Sequence, residues 1–245
     1  MRAFRTFPGC LFIGISKDMK KLVVLTGAGI SAESGLKTFR DDNGMWRNYR
    51  FEEVASPEAW HRDPELVLEF YNLRRKQLLE VQPNAAHLAL VKLEKYFDVQ
   101  IITQNVDDLH ERAGSTKILH LHGELRKSES SIDKSLVYDI EGWELKTGDK
   151  CEKGSQLRPH VVWFGEQVTM INPAIELVEQ ADCCIIIGTS LAVYPAAGLI
   201  QYVRNDAPKY LVDPKSGENL AIAKLRVIRE KARNGVPILI DEVSK

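Results

Sequence analysis

At 245 residues the chain is long enough for one large domain, or for a main domain carrying a smaller insertion. Its 33 Lys and Arg balance 34 Asp and Glu, so no net field draws it to nucleic acid or to an anionic membrane, and neither is expected as a partner. No apolar run approaches the roughly 18 residues a membrane-spanning helix needs, and the cysteines at 10, 151, 183 and 184 form no disulfide framework, which fits a reducing cytoplasm.

Residues 1–19 carry Arg2, Arg5 and a short apolar stretch from Cys10 to Ile15, too brief for a secretory signal. They read as a loose extension, with Met19-Lys20-Lys21 leading into the first strand. Leu22–Thr26 is that strand, a short β-branched run of the kind buried in parallel sheets. Similar runs follow at Val99–Thr103, Ile118–Leu121, His160–Phe164, Cys183–Gly188 and Lys209–Val212. Helical patterns lie between them: Pro64–Leu79 with Asp63 as N-cap, Asn84–Tyr96, Pro173–Gln180 and Pro195–Val203. The alternation predicts an α/β fold with a doubly wound, Rossmann-like parallel sheet.

Residues 37–83, mostly helix and loop, and residues 125–158, polar and punctuated by Gly142, Gly148 and Gly154, break that rhythm. They are expected to form a smaller domain from two insertions. The large domain is then built from about 20–36, 84–124 and 159–245, and the chain is expected to be a monomer.

The first strand runs straight into Gly27-Ala28-Gly29-Ile30-Ser31-Ala32. Glycines after a strand let the backbone approach a pyrophosphate and aim N–H groups at it, and the following helix adds positive potential. A tight strand–helix turn is the plain alternative. A dehydrogenase would continue to a second strand tipped with an acid. Here the loop continues through Glu33 to Thr38-Phe39-Arg40 instead, and no apolar strand leads into Glu52 or Glu53.

Four further segments occur in a fixed order: Gln104-Asn105-Val106-Asp107; Leu121-His122-Gly123; Val161-Val162-Trp163-Phe164-Gly165-Glu166; and Gly188-Thr189-Ser190-Leu191 with Val193 and Pro195. With the Gly27–Arg40 loop, these make the chain resemble the sirtuin family over roughly residues 20–240. The resemblance implies NAD consumed as a co-substrate and acylated-lysine proteins or peptides as partners. In that chemistry the acyl carbonyl oxygen attacks C1′ of the nicotinamide ribose and expels nicotinamide. A histidine then helps deprotonate a ribose hydroxyl, which captures the acyl carbon, leaving O-acyl-ADP-ribose and free lysine.

Residue by residue, the resemblance implies a general base at His122, whose neutral imidazole can take a proton near pH 7. His120, two residues earlier, is the rival. Gln104, Asn105 and Asp107 match the wall around the nicotinamide ribose, Asn105 and Asp107 being counted with His122 as catalytic; capping of a helix beginning near Asn105 is their plain alternative. Gly27, Ala28, Gly29, Ser31, Ala32, Glu33, Thr38, Phe39, Arg40, Gly188, Thr189, Ser190, Asp213 and Ala232 complete the implied cofactor set. Val161, Val162, Trp163, Phe164 and Gly165 match the edge against which an acyl-lysine peptide adds as a strand.

Tyr71 and Arg74 share one helical face and match the Tyr-x-x-Arg pair of a sirtuin class in which it lines the acyl pocket. Arg74 can hold a distal carboxylate, so succinyl- or malonyl-lysine is expected to fit better than acetyl-lysine. A solvated helix arginine is the alternative. Many sirtuins also carry two Cys-x-x-Cys pairs for a structural zinc. Here Ser130 and Asp133 fall near the first pair, Lys150 and Lys153 at the second, and Cys151 is offset by one. No zinc is expected; packing through Leu136, Val137, Tyr138 and Trp143 would hold the insertion instead. An active deacylase is the leading reading, with an NAD- or ADP-ribose-sensing module and a protein ADP-ribosyltransferase as alternatives.

Overall fold

The structure is a computed structural model describing residues 19–36, 45–46, 49–189, 194–215 and 222–243. Its strands are β1 (Lys21–Thr26), β2 (Met45–Trp46), β3 (Tyr49–Arg50), β4 (Asp98–Thr103), β5 (Ile118–His120), β6 (Gly123–Ser130), β7 (Val137–Asp139), β8 (Leu157–Val161), β9 (Cys183–Ile187), β10 (Lys209–Val212) and β11 (Leu225–Ile228). The helices are α1 (Ala28–Ala32), α2 (Phe51–Val54), α3 (Pro57–Arg62), α4 (Pro64–Glu80), α5 (Ala85–Leu93), α6 (Leu109–Ala113), α7 (Ile171–Glu179) and α8 (Ala232–Val243), with a 3-10 helix at Ala196–Tyr202.

Six strands form a parallel sheet in the order β11-β10-β9-β1-β4-β5. Successive side chains of β1 point to opposite faces, and both faces are covered. Leu22 and Val24 pack with α5 and α8 residues such as Leu90, Leu93 and Leu239. Val23 and Leu25 pack on the other side with Val178 of α7 and Leu199 of the 3-10 helix. This double burial is why the strands read as continuous apolar runs. From β1 the chain winds one way to β4 and β5 and the other way to β9, β10 and β11. The carboxyl ends of β1, β4 and β9 therefore flank a topological switch point, where open α/β sheets bind ligands.

The helix starts follow their caps. Asp63 accepts from Leu66 N at 2.9 Å ahead of Pro64, and Asn84 accepts from Ala86 N at 2.9 Å.

Four sequence expectations are corrected. The His160–Phe164 run is not a strand of the parallel sheet: β8 ends at Val161 and pairs antiparallel with β6, in a separate sheet ordered β7-β6-β8. Its apolar side chains serve a third core instead, where Val161 and Trp163 meet Phe70, Tyr71 and Leu78 of α4. The polar 125–158 stretch accordingly holds real strands. Within it Val137 and Trp143 are exposed, and Leu125, Ile140, Leu145 and Cys151 are the buried apolar groups. The edge strand β11 escaped notice because Arg226 interrupts its pattern; that side chain reaches outward to Glu242 (2.9 Å). Finally, the helix expected near Asn105 begins at Leu109, which frees Asn105 from capping.

Candidate active site

The crevice floor is made by two strand-end turns that interlock. Gly27 N donates to Ile187 O (3.0 Å) and Gly29 N to Gly188 O (2.8 Å). A β-carbon on Gly29 would stand 2.6 Å from Gly188 Cα, and one on Gly188, whose φ is +61°, would stand 2.4 Å from Ile30 N. The glycines are required by this backbone contact before any ligand is considered. Helix α1 has only five residues, so its contribution is a few amide N–H groups rather than a long dipole.

Asn105 ties the end of β4 to this floor. Its Nδ2 donates to Gly27 O (3.2 Å) and Ser31 Oγ (3.1 Å), and its own N–H donates to Thr103 Oγ1 (3.0 Å). Asp107 lies beside Ser31 and accepts from Leu109 N (3.2 Å). Burial pushes its carboxyl up to about 6, although bonds from Ser31 and Leu109 pull the other way. Gln104 donates to Thr189 Oγ1 (3.3 Å), joining the β4 and β9 ends.

Other expected cofactor residues have structural duties visible here. Glu33 accepts from Arg233 N (2.9 Å) at the start of α8, next to the buried Ala232. Asp213, at the end of β10, accepts from Lys215 N (2.8 Å). Ala28 is exposed, while Ala32 is half-buried. Thr38, Phe39, Arg40 and Ser190 lie outside the described residues.

Two residues that sequence reasoning missed brace the floor from below. Asn84 Nδ2 donates to Ile30 O (2.8 Å) and Ser34 Oγ (2.9 Å). The Nε2 of His110 meets Thr26 Oγ1 (3.0 Å). The N-cap role of Asn84 was readable in sequence, but not its reach of 54 residues.

The two histidines at the end of β5, His120 and His122, are distinguished by their partners. His122 Nδ1 lies 2.9 Å from Gln104 O. A carbonyl only accepts, so Nδ1 carries the proton and Nε2 presents a lone pair. Burial lowers the His122 pKa, against a smaller upward pull from that bond, so the ring is neutral near pH 7. His120 has both nitrogens occupied: Nδ1 with Asn105 O (3.0 Å) and Nε2 with Glu111 Oε1 (2.7 Å). Gly123 follows His122 at φ +80°, and a β-carbon there would meet His160 O at 2.2 Å. The turn that aims His122 thus excludes any other residue.

Tyr71 and Arg74 lie on α4 between the two halves of the site. Tyr71 is buried, which pushes its phenol up to about 12, and it borders Trp163 and feels Arg158 and Glu166. Arg74 is half-buried over the Phe70 ring at 5.7 Å. Burial lowers its pKa, while the nearby Tyr71 and Asp107 oppose that. The pair therefore spans from the Asp107 wall to the Trp163 segment.

That segment is tied down by several contacts. Arg158 grips both oxygens of Glu166 (2.9 Å each) and stacks 3.4 Å from the Trp163 ring centre. Burial raises the Glu166 carboxyl, but the bonds from Arg158, Lys134 and Trp163 N (2.8 Å) together outweigh it and hold it down to about 2. Val162 N donates to His122 O (2.9 Å) and Phe164 N to Ala55 O (3.0 Å). Since these N–H groups are already bonded, a partner strand would meet mainly carbonyls, Gly165 and the exposed Phe164 ring.

The donor set for a structural zinc does not fit. Ser130 Oγ bonds Ser155 Oγ (2.8 Å), and Cys151 Sγ lies 3.4 Å from the first and 3.2 Å from the second. Lys153 pairs with Asp133 at 2.6 Å. One thiol, hydroxyls and an ammonium offer no tetrahedral thiolate cage, and among the described residues no group of three or more His, Cys, Asp or Glu could hold a metal. Hydroxyl bonds and an ion pair stand at those positions instead.

The same arrangement of segments is shared with known proteins. The Sir2 family profile matches residues 27–195. An NAD-dependent protein deacylase of Bacteroides thetaiotaomicron is 56% identical over 223 residues, covering 89% of this chain and 95% of that protein. A Sir2 homologue solved as its NAD complex superimposes with a TM-score of 0.83 at 42% identity, covering 92% of this chain and 90% of that one. A Sir2 protein solved with a deacetylated p53 peptide and 3′-O-acetyl ADP-ribose gives 0.77 at 30% identity, covering 91% and 94%.

Proposed function

The chain belongs to the Sir2 family, and from that premise we propose that its switch-point crevice removes acyl groups from protein lysines with NAD as the consumed partner, His122 serving as general base. The observation that carries this reading is the His122 tautomer: Nδ1–H is fixed on Gln104 O, leaving Nε2 as the acceptor.

The Gly27–Ser31 turn offers amide N–H groups to the pyrophosphate, and Asn105 and Asp107 face the nicotinamide ribose. Once the acyl oxygen has displaced nicotinamide at C1′, His122 Nε2 takes a ribose hydroxyl proton. The resulting oxygen attacks the acyl carbon, the lysine nitrogen leaves as the protonated amine, and a water molecule adds to the acyl carbon in its place, giving free lysine and O-acyl-ADP-ribose. The acyl-lysine peptide lies along Val161–Gly165, and its acyl group points to Tyr71 and Arg74. Supporting this is the position of those two side chains between Asp107 and Trp163. A guanidinium there favours succinyl and malonyl groups over acetyl.

The test is a panel of acetyl, propionyl, succinyl and malonyl peptides with NAD, run on wild type and His122→Ala. Stoichiometric nicotinamide and deacylated lysine, abolished in the variant, are expected. ADP-ribose on the peptide, or NAD binding without nicotinamide release, would overturn the reading.

A further inference from the structure

We propose that His120, paired with Glu111, is a positioning residue for NAD: together they hold Asn105, and through it the Gly27–Ser31 turn, in the geometry that receives the nicotinamide ribose. The inference rests on the preceding reading of the crevice, but on a side chain that the chemistry itself leaves unused.

Asn105 O, an acceptor only, lies 3.0 Å from His120 Nδ1, and the Glu111 carboxylate lies 2.7 Å from Nε2. Two acceptors require two ring protons, so His120 is an imidazolium closing an ion pair. The chain of contacts then runs without a gap. Glu111 on α6 holds His120, His120 holds the Asn105 carbonyl, and the Asn105 amide holds Gly27 O and Ser31 Oγ. The His120 side chain is 9% exposed and that of Glu111 39%, so solvent reaches the pair from the Glu111 side and screens it only in part.

The groups facing His120 agree with a charged ring. Glu111 and His110 approach from α6, Asp107 from the loop before it, and Glu124 from β6. Lys127 faces Glu111 but is bound to Glu124 at 2.9 Å. His110 is pushed well below the usual histidine value by burial and so adds no competing charge. Burial also pulls the His120 pKa down, yet Glu111, Asn105 O and Glu124 outweigh it and the net shift is upward.

The sign of the pH effect follows. A histidine whose folded pKa is raised contributes fully below the unfolded value of about 6.5 and loses that contribution as pH rises through the folded value. On deprotonation the ring keeps the proton that faces the carboxylate, so the Nδ1 lone pair would face Asn105 O and the grip on Asn105 loosens. His120 thus sets an alkaline limit on NAD binding. His122, shifted the other way, sets the acid limit on chemistry.

The experiment measures KM for NAD and kcat from about pH 6 to about 9.5, with a saturating acyl peptide, for wild type and Glu111→Gln. Removing the carboxylate should bring the alkaline rise in KM down by about one pH unit or more. Near pH 6 the two proteins should agree within about threefold, and kcat at saturating NAD should change less than about threefold. An unmoved KM profile, or a fall in kcat at constant KM, overturns the proposal. Histidine-labelled wild type, followed by NMR, tests it without a variant: a doubly protonated His120 ring near pH 7 is expected, and a neutral ring refutes it. A wild type lacking NAD-dependent deacylation would sink the parent reading, while the NMR result would still decide the ion pair.

Discussion

Replacing Arg74 by methionine removes the guanidinium while keeping a long apolar stem on the same face of α4. A carboxylate at the end of a succinyl chain would lose a charge-assisted contact, worth about 1.5–3 kcal/mol in general. Arg74 is half-buried, over the Phe70 ring and within reach of the fields of Tyr71 and Asp107, so the upper half of that range applies. About 2–3 kcal/mol corresponds to a loss of about 30- to 150-fold in kcat/KM for the succinyl peptide. The acetyl peptide has no distal charge and should change by less than about threefold. Tyr71→Phe, which removes a neutral hydroxyl, should cost about 1 kcal/mol, or about fivefold, on the succinyl peptide. The assay is initial-rate nicotinamide release on matched peptides differing only in the acyl group, with thermal unfolding to verify the fold. Equal losses on the two peptides would refute the assignment of Arg74 to the acyl pocket.

Three further outcomes follow from the geometry. His122→Ala should lower kcat by about 100- to 10,000-fold with little change in NAD affinity, read by O-acyl-ADP-ribose formation and calorimetry; retention of a tenth of the activity would remove it from the chemistry. Gly29→Ala forces a β-carbon against Gly188 Cα at 2.6 Å, so a stability loss of about 1–3 kcal/mol and weaker NAD binding are expected. An unchanged melting temperature there would mean that the two turns are not locked. Metal analysis should find no stoichiometric zinc and chelators should leave the melting temperature unchanged, whereas Lys153→Met, which unpairs Asp133, should lower it. Zinc at one per chain would contradict this.

Much of the sheet was legible because β1, β4, β9 and β10 are largely buried on both faces and the half-buried edge strand β5 keeps Ile118 and Leu119 against the cores, and such runs announce themselves without any knowledge of their neighbours. The sixth, β11, sits at an edge, where Arg226 can turn outward to Glu242 and spoil the pattern. The His160–Phe164 run failed for the opposite reason: its apolar character is real, but it serves the contact with α4 rather than the main sheet. Local sequence cannot say which core an apolar residue joins. The same limit applies to the crevice. His122, Asn105 and the glycines stand in recognisable local patterns, whereas the bracing by Asn84, His110 and Glu111 depends on contacts across the fold.

The meshing of the β1 and β9 turns restricts how the cofactor preference of this protein could be redesigned. Neither turn can be widened by itself, since each glycine occupies the space its opposite number would need for a side chain. Insertions, deletions and bulky replacements must therefore come in matched sets on two segments about 160 residues apart in the chain. Ala28, between Gly27 and Gly29 in that turn, is exposed to solvent. A library seeking altered dinucleotides would begin there.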